Sequence, residues 1–159
     1  MEVVVLRAAL YDRTLIENLL QFYIYDFTEY TSASILENGS YNTMPDLDSY
    51  WNNPDKNHPY LIKVNGEIAG FILTKELEET REYNYLAHFF ILRKFRRSGI
   101  GRKAAEHVLK NSKREWELYQ LENNIPAQKF WDRIIEEISD GEVNVRIENG
   151  RRYQNFICK

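Results

Sequence analysis

The chain has 159 residues, 43 % of them hydrophobic and 14 % aromatic, with a formal charge of −3. That composition excludes a disordered polypeptide and suffices for one core, so a single domain over residues 1–159 is expected. No apolar run approaches the ~20 residues of a membrane helix, "MEVVVLRAAL" lacks the basic lead of a signal peptide, and the single Cys158 permits neither an internal disulfide nor a metal site of its own. A cytoplasmic protein with no membrane partner is expected.

In chain order, "VVVL" (Val3 to Leu6) reads as a buried strand. Asp12 is an N-cap candidate for a helix whose apolar face is Leu15, Ile16, Leu19, Leu20 and Tyr23. The segment "YIYDFTEYTSASILENGSYNT" has no sustained period and reads as the end of that helix, a loop and room for a short second helix. After Pro45, "DLDSYWNN" predicts a further helical turn, closed by Asn53-Pro54. "YLIKV", Asn65-Gly66 and "EIAGFIL" form a hairpin signal. "YNYLAHFFIL" (Tyr83 to Leu92) is apolar on both alternating faces, as a central strand covered by helices must be.

A basic, glycine-bearing loop leads from that strand into a helix with Ile100, Ala104, Ala105, Val108 and Leu109 inward. "WELYQL" (Trp116 to Leu121) reads as a strand, and Asn124 with Pro126 opens a helix whose inward set is Ala127, Phe130, Trp131, Ile134, Ile135 and Ile138. "VNVRI", Asn149-Gly150 and "RRYQNFIC" make a closing hairpin. The order predicts an α/β layered domain around a mixed sheet.

Charge is segregated along the chain. Residues 93–114 hold nine basic side chains against Glu106 alone, a net of +8, whereas residues 1–58 net −6. Such asymmetry fits an anionic partner for one segment and a cationic one for the other, although an acidic half also reads as solvated helix faces. Within the basic segment, "FRRSGIGRKAAEHVLK" brings glycines to a strand–helix junction, where unpaired N–H groups and the helix dipole favour an anion such as phosphate. A P-loop is excluded because no Gly-x4-Gly-Lys-Ser/Thr run exists. A dinucleotide fingerprint is excluded because Ala104 stands where its third glycine would be.

Arg96-Arg97-Ser98-Gly99-Ile100-Gly101 resembles the Arg/Gln-x-x-Gly-x-Gly/Ala signature of the GNAT superfamily of N-acyltransferases. "NIPAQKFW" (Asn124 to Trp131) resembles that family's second marker, Asn-x-x-Ala-x-x-aromatic-aromatic. The resemblance implies a mixed, mostly antiparallel sheet flanked by helices, with a splayed pair of parallel central strands, and acetyl-CoA as the acyl donor. It places pantetheine along the backbone of Phe90, Ile91 and Leu92, and pyrophosphate on Arg96, Arg97, Ser98, Gly99, Ile100, Gly101 and Arg102. Asn124, Ala127, Phe130 and Trp131 would complete the cofactor wall.

The implied reaction is direct attack of a primary amine on the thioester. His88, on the central strand and with an ordinary pKa of about 6.5, is the candidate base, and a hydrogen-bonded core histidine is its other reading. Trp131 stands where many members carry a tyrosine that protonates the leaving thiolate; indole cannot do so, and Tyr119 is the candidate replacement. Tyr23, Tyr25, Asp26, Phe27 and Glu29 combine aromatic faces and carboxylates, which suits a cationic, small-molecule or lysine-like amine. Nucleic acid is not expected as a partner, because no basic stripe lies outside the glycine loop, and a homodimer is left open. The alternative reading, motivated by Trp131, is a non-catalytic acyl-CoA-binding or regulatory domain.

Overall fold

A computed structural model describes residues 1–44 and 46–159. Its strands are β1 (Val3–Arg7), β2 (Asn57–Val64), β3 (Glu67–Glu78), β4 (Glu82–Ile91), β5 (Trp116–Leu121), β6 (Asn144–Glu148) and β7 (Arg151–Phe156). They form one sheet in the order β1-β2-β3-β4-β5-β7-β6, antiparallel except for the β4–β5 pair. Helices α1 (Arg13–Phe27) and α2 (Ser49–Asn52) cover one face, and α3 (Ile100–Leu109) and α4 (Ile125–Ile138) the other. This is the mixed, mostly antiparallel α/β architecture expected.

The helices form where the apolar period demands. α3 buries Ile100, Ala104, Ala105, Val108 and Leu109, and α4 buries Trp131, Ile134, Ile135 and Ile138, giving both a face toward the sheet. Asn124 caps α4 by accepting from the Ala127 N–H at 3.2 Å. Asp12 precedes α1 but does not cap it. Its carboxylate accepts instead from the Ala9 N–H at 2.9 Å, closing the 3-10 turn Leu10–Asp12 that leads into the helix.

Asn65-Gly66 and Asn149-Gly150 both turn through positive φ, as two-residue hairpins require. The first hairpin is longer than its apolar stretch: β2 begins at Asn57 and β3 runs on to Glu78, because ladder pairing continues past the buried positions.

The strand that matters most is β4. Leu73 pairs with His88 and Thr74 with Leu86, which leaves Ala87 as an extra residue in a β-bulge. A bulge switches the parity of the strand. Leu86 points into the α3/α4 core, whereas His88 and Phe90 point toward α1. Past the bulge β4 leaves its parallel partner: it pairs with β5 only through Asn84–Trp116 and Tyr85–Glu117. The cleft between the two strands begins there.

Candidate functional site: a split sheet and its glycine turn

One edge of β4 is open inside this cleft. The Leu92 N–H donates to Ala69 C=O at 2.8 Å, so it is used by the β3 side. Alternation along the antiparallel ladder turns Phe90 the same way and leaves the backbone groups of Phe89 and Ile91 facing the cleft. Of the three residues expected to meet pantetheine through their backbone, Ile91 is so oriented. Its C=O accepts from Arg96 Nε at 2.8 Å.

The loop after β4 makes a 3-10 turn at Arg93–Phe95, and Ser98 Oγ fastens it by donating to Phe95 C=O at 3.0 Å. Arg97 at φ 64° and Gly99 at φ 80° are both left-handed. For Gly99 this conformation carries no Cβ penalty, and a Cβ there would meet nothing within 4 Å, so the turn is open to a ligand. The first α3 bond runs from the Lys103 N–H to Gly99 C=O at 3.1 Å, which leaves the N–H groups of Ile100, Gly101 and Arg102 without helical partners. Gly101 also lies at the contact between α3 and α4. A Cβ there would lie 3.2 Å from the edge of the Phe130 ring, closer than ordinary contact, so a side chain at this position would press on α4.

Most of the +8 segment is neutralised from elsewhere in the fold. Arg93 and Arg96 both bind Asp26, at 2.9 and 2.8 Å. Lys94 binds Glu67, Arg114 binds Glu82, and Arg102 binds Glu106 and Glu137. Arg97 and Lys103 form no ion pair among the described residues. These two flank the left-handed turn, and Lys103 could not be singled out from sequence among eight other cations.

On the α3/α4 side, Phe89, Phe130 and Trp131 form an aromatic cluster, with ring centres 5.0 to 5.7 Å apart. Trp131 is buried and Ala127 and Phe130 are half-buried. Tyr119 lies on the opposite face of the sheet from Trp131. It packs against Tyr153 at 5.3 Å, while its neighbours Trp116 and Leu118 sit in the core with Trp131. Tyr85 faces the same way as Tyr119, a placement that depends on the sheet register.

The Tyr23 hydroxyl reaches His88 Nδ1 at 3.0 Å. Burial pushes the His88 imidazole down to about 4 and the Tyr23 phenol up from its ordinary value. That places His88 below the ordinary value on which its expected role as a base rested.

Asp26 is not free to meet an amine either. Burial alone would raise its carboxyl, but hydrogen bonds from Arg96 and Arg93 outweigh that and hold it below the usual range. Phe27 packs edge-on against Tyr23 at 4.7 Å. Tyr25 is exposed and, with Phe22, Asp26 and Arg93, lines a surface crevice against Phe90 and Leu92 at the end of β4, and Glu29 is exposed beside Tyr30. Of the acceptor set read from "QFYIYDFTEY", Tyr23 and its packing partner Phe27 lie near His88, Tyr25 and Asp26 border the crevice against Phe90, and Glu29 stands apart on the surface.

A sheet split at its one parallel pair, with a glycine turn and a helix start beside the split, is the architecture of a class of acyl-CoA-dependent acetyltransferases. The model of the Acetyltransferase (GNAT) family matches residues 18–135, and the protein belongs to that family. An acetyltransferase from Thermus thermophilus is similar in structure, with a TM-score of 0.70 at 13 % identity, covering 99 % of this chain and 97 % of the other. So is the PaiA N-acetyltransferase from Thermoplasma acidophilum in complex with coenzyme A, with a TM-score of 0.67 at 14 % identity and 99 % of both chains covered. A third similar structure is an Arabidopsis thaliana protein in complex with the bisubstrate analogue CoA-Ac-MVNAL, with a TM-score of 0.60 at 17 % identity, covering 98 % and 97 %. No curated protein matches in sequence.

Acetyl-CoA is the cosubstrate of this acetyltransferase. The open β4 edge, the left-handed turn with its free N–H groups, and the unpaired Arg97 and Lys103 fit its pantetheine and phosphates. Among the described residues no helix is long and apolar enough to cross a membrane.

Proposed function

We propose that residues 1–159 act as one N-acetyltransferase domain that passes the acetyl group of acetyl-CoA directly to a primary amine. The observation that carries this reading is the short β4–β5 pairing, which stops at Tyr85–Glu117 and opens a cleft between the glycine turn and the tyrosine-bearing face. A donor lying in that cleft is reachable from the α1 side without any covalent intermediate on the protein.

In this reading the N–H groups of Phe89 and Ile91 hold the pantetheine and the thioester oxygen, where negative charge develops as the amine attacks. The turn from Arg97 to Gly101 holds pyrophosphate through backbone N–H groups, with Arg97 and Lys103 supplying charge. Arg96 acts mainly as a clamp on the loop, through Ile91 C=O and Asp26. Asn124, Ala127, Phe130 and Trp131 close the far wall.

The attacking amine must be neutral. A cleft faced by Tyr23, Tyr85, Tyr119 and Tyr153 desolvates an ammonium and lowers its pKa, so a strong base is unnecessary. Neutral His88 holds Tyr23 in place at 3.0 Å and passes protons without retaining them. Tyr119 protonates the departing thiolate, the role that the Trp131 indole cannot fill.

The experiment is the release of free thiol from acetyl-CoA over a panel of amines, alongside calorimetry with CoA. Thiol release that depends on the amine supports transfer. Tight CoA binding with no release on any amine would favour the non-catalytic acyl-CoA-binding domain.

A further inference from the structure

The open face of the sheet carries a cation that, among the described residues, no carboxylate takes. Tyr119 on β5 stands opposite Tyr153 on β7, and Arg151 lies two residues before Tyr153 on the same face. The Arg151 guanidinium carbon lies 4.7 Å from the centre of the Tyr119 ring, and its Nη1 is 3.4 Å from the Tyr153 hydroxyl. The ionisable groups around it are Tyr153, Tyr119 and Tyr85.

The neighbouring arginines of this part of the sheet are all paired. Arg146 binds Glu117 at 2.9 Å, Arg152 binds Asp132 at 2.9 Å and Arg81 binds Glu115 at 2.8 Å. Arg151 forms no ion pair among the described residues. A guanidinium laid on an aromatic ring and surrounded by phenols is held in place while its charge stays unneutralised.

Resting on the acetyl-transfer reading above, we infer that the acceptor amine carries a carboxylate a few bonds away, and that Arg151 receives it. The sheet register sets the level. Arg151 is the partner of Leu121 at the end of β5, and the parallel Tyr85–Glu117 pair, with the extra residue of the bulge at Ala87, brings Leu121 roughly level with Phe90 on β4. The guanidinium folds back over Tyr119, toward the stretch of β4 that has parted from β5, and so flanks the cleft.

Asn123 Nδ2 donates to Tyr30 C=O at 3.2 Å and ties the segment after α1 to the β5–α4 connection. Together these limits fit an amino acid or a very short peptide. Bidentate capture of the carboxylate would turn the amine toward the thioester. The acceptor is then anionic at one end, in place of the cationic amine that Asp26 and Glu29 implied.

The test compares matched acceptors, free amino acids (glycine, alanine, glutamate) and the dipeptide glycylglycine, each against its own carboxamide. Thiol release from acetyl-CoA is measured per neutral amine. Wild-type protein is expected to prefer the carboxylate member by about tenfold or more in kcat/KM. Arg151→Gln should bring that ratio near one through KM for the carboxylate member, with the calorimetric Kd for CoA unchanged, and Arg151→Lys should retain part of the ratio. The free-acid and dipeptide arms tell which source of carboxylate is taken.

Amine-dependent release with a wild-type ratio near one, or a ratio that survives in Arg151→Gln, overturns this inference and leaves acetyl transfer standing. Absence of release with every amine, despite tight CoA binding, overturns the transfer reading and this one with it.

Discussion

The Tyr23 hydroxyl lies 3.0 Å from His88 Nδ1 and so joins α1 to the strand that bulges at Ala87. The contact exists because the bulge turns His88 out of the α3/α4 core and toward α1. The imidazole that results is buried enough to sit at about 4, below its ordinary 6.5. The unfolded chain therefore takes up this proton first as pH falls. Stability from this group is complete above pH ~6.5, declines below it, and stops declining near pH ~4. At pH 5 the loss is about 2 kcal/mol, from roughly 1.36 kcal/mol per pKa unit. Urea midpoints at pH 7.5 and pH 5 should differ in the wild type and converge in His88→Gln. An equal acid slope in both proteins would show that His88 is not the group involved, and turnover of the wild type should show no His88 inflection between pH 6 and pH 7.

Gly99 and Gly101 are separable by substitution, although one motif contains both. Gly99→Glu introduces a carboxylate and a left-handed strain of ~1–2 kcal/mol at the turn, and should abolish CoA binding in calorimetry. Gly101→Ala presses on Phe130 and should forfeit the ~1 kcal/mol that alanine ordinarily gains over glycine in a helix. Phe130→Leu should relieve that loss in the double variant, measured as a shift in the urea midpoint. Independent, additive losses would contradict the contact.

Asp26→Asn releases Arg93 and Arg96 and removes a negative charge from beside the proposed pyrophosphate site. CoA should bind a few-fold more tightly, by roughly 1 kcal/mol at low salt, with the gain shrinking as salt is added. KM for the acceptor should stay where it was. A large rise in acceptor KM with no change in CoA affinity would return Asp26 to the amine side of the cleft.

Tyr119→Phe keeps the ring under Arg151 and removes the hydroxyl. Turnover should fall by about 10²-fold, the lower range for general acid catalysis, with the Kd for CoA unchanged. Trp131→Phe should instead cost about 1–2 kcal/mol of stability with a small effect on turnover, since the indole is buried against Phe89 and Phe130. If Tyr119→Phe turns over like wild type, the thiolate leaves without this phenol.

Local chemistry made much of the fold readable from the chain. The apolar periods of α3 and α4, both Asn-Gly hairpins and the doubly apolar β4 each depend on residues a few positions apart, and each forms as its pattern implies. The glycine turn was equally local, because positive φ at Gly99 and the free N–H groups of the next turn are consequences of one short segment. Asp12 does not cap α1 because the Ala9 N–H competes for its carboxylate within the same turn.

The acceptor side was not readable, and the reason is distance along the chain. Asp26 is 67 residues from Arg93 and 70 from Arg96, so no pattern within "QFYIYDFTEY" shows that its charge is already used. Tyr85, Tyr119, Tyr153 and Arg151 come from three strands and share a face through register alone, and the bulge at Ala87 reverses the parity that alternation would assign to His88. Segment chemistry was enough to specify the helices, the turns and the anion cradle, because those energies are local. Which charges remain free, which way β4 faces and what meets the amine depend on long-range pairing, which exists only in the folded sheet.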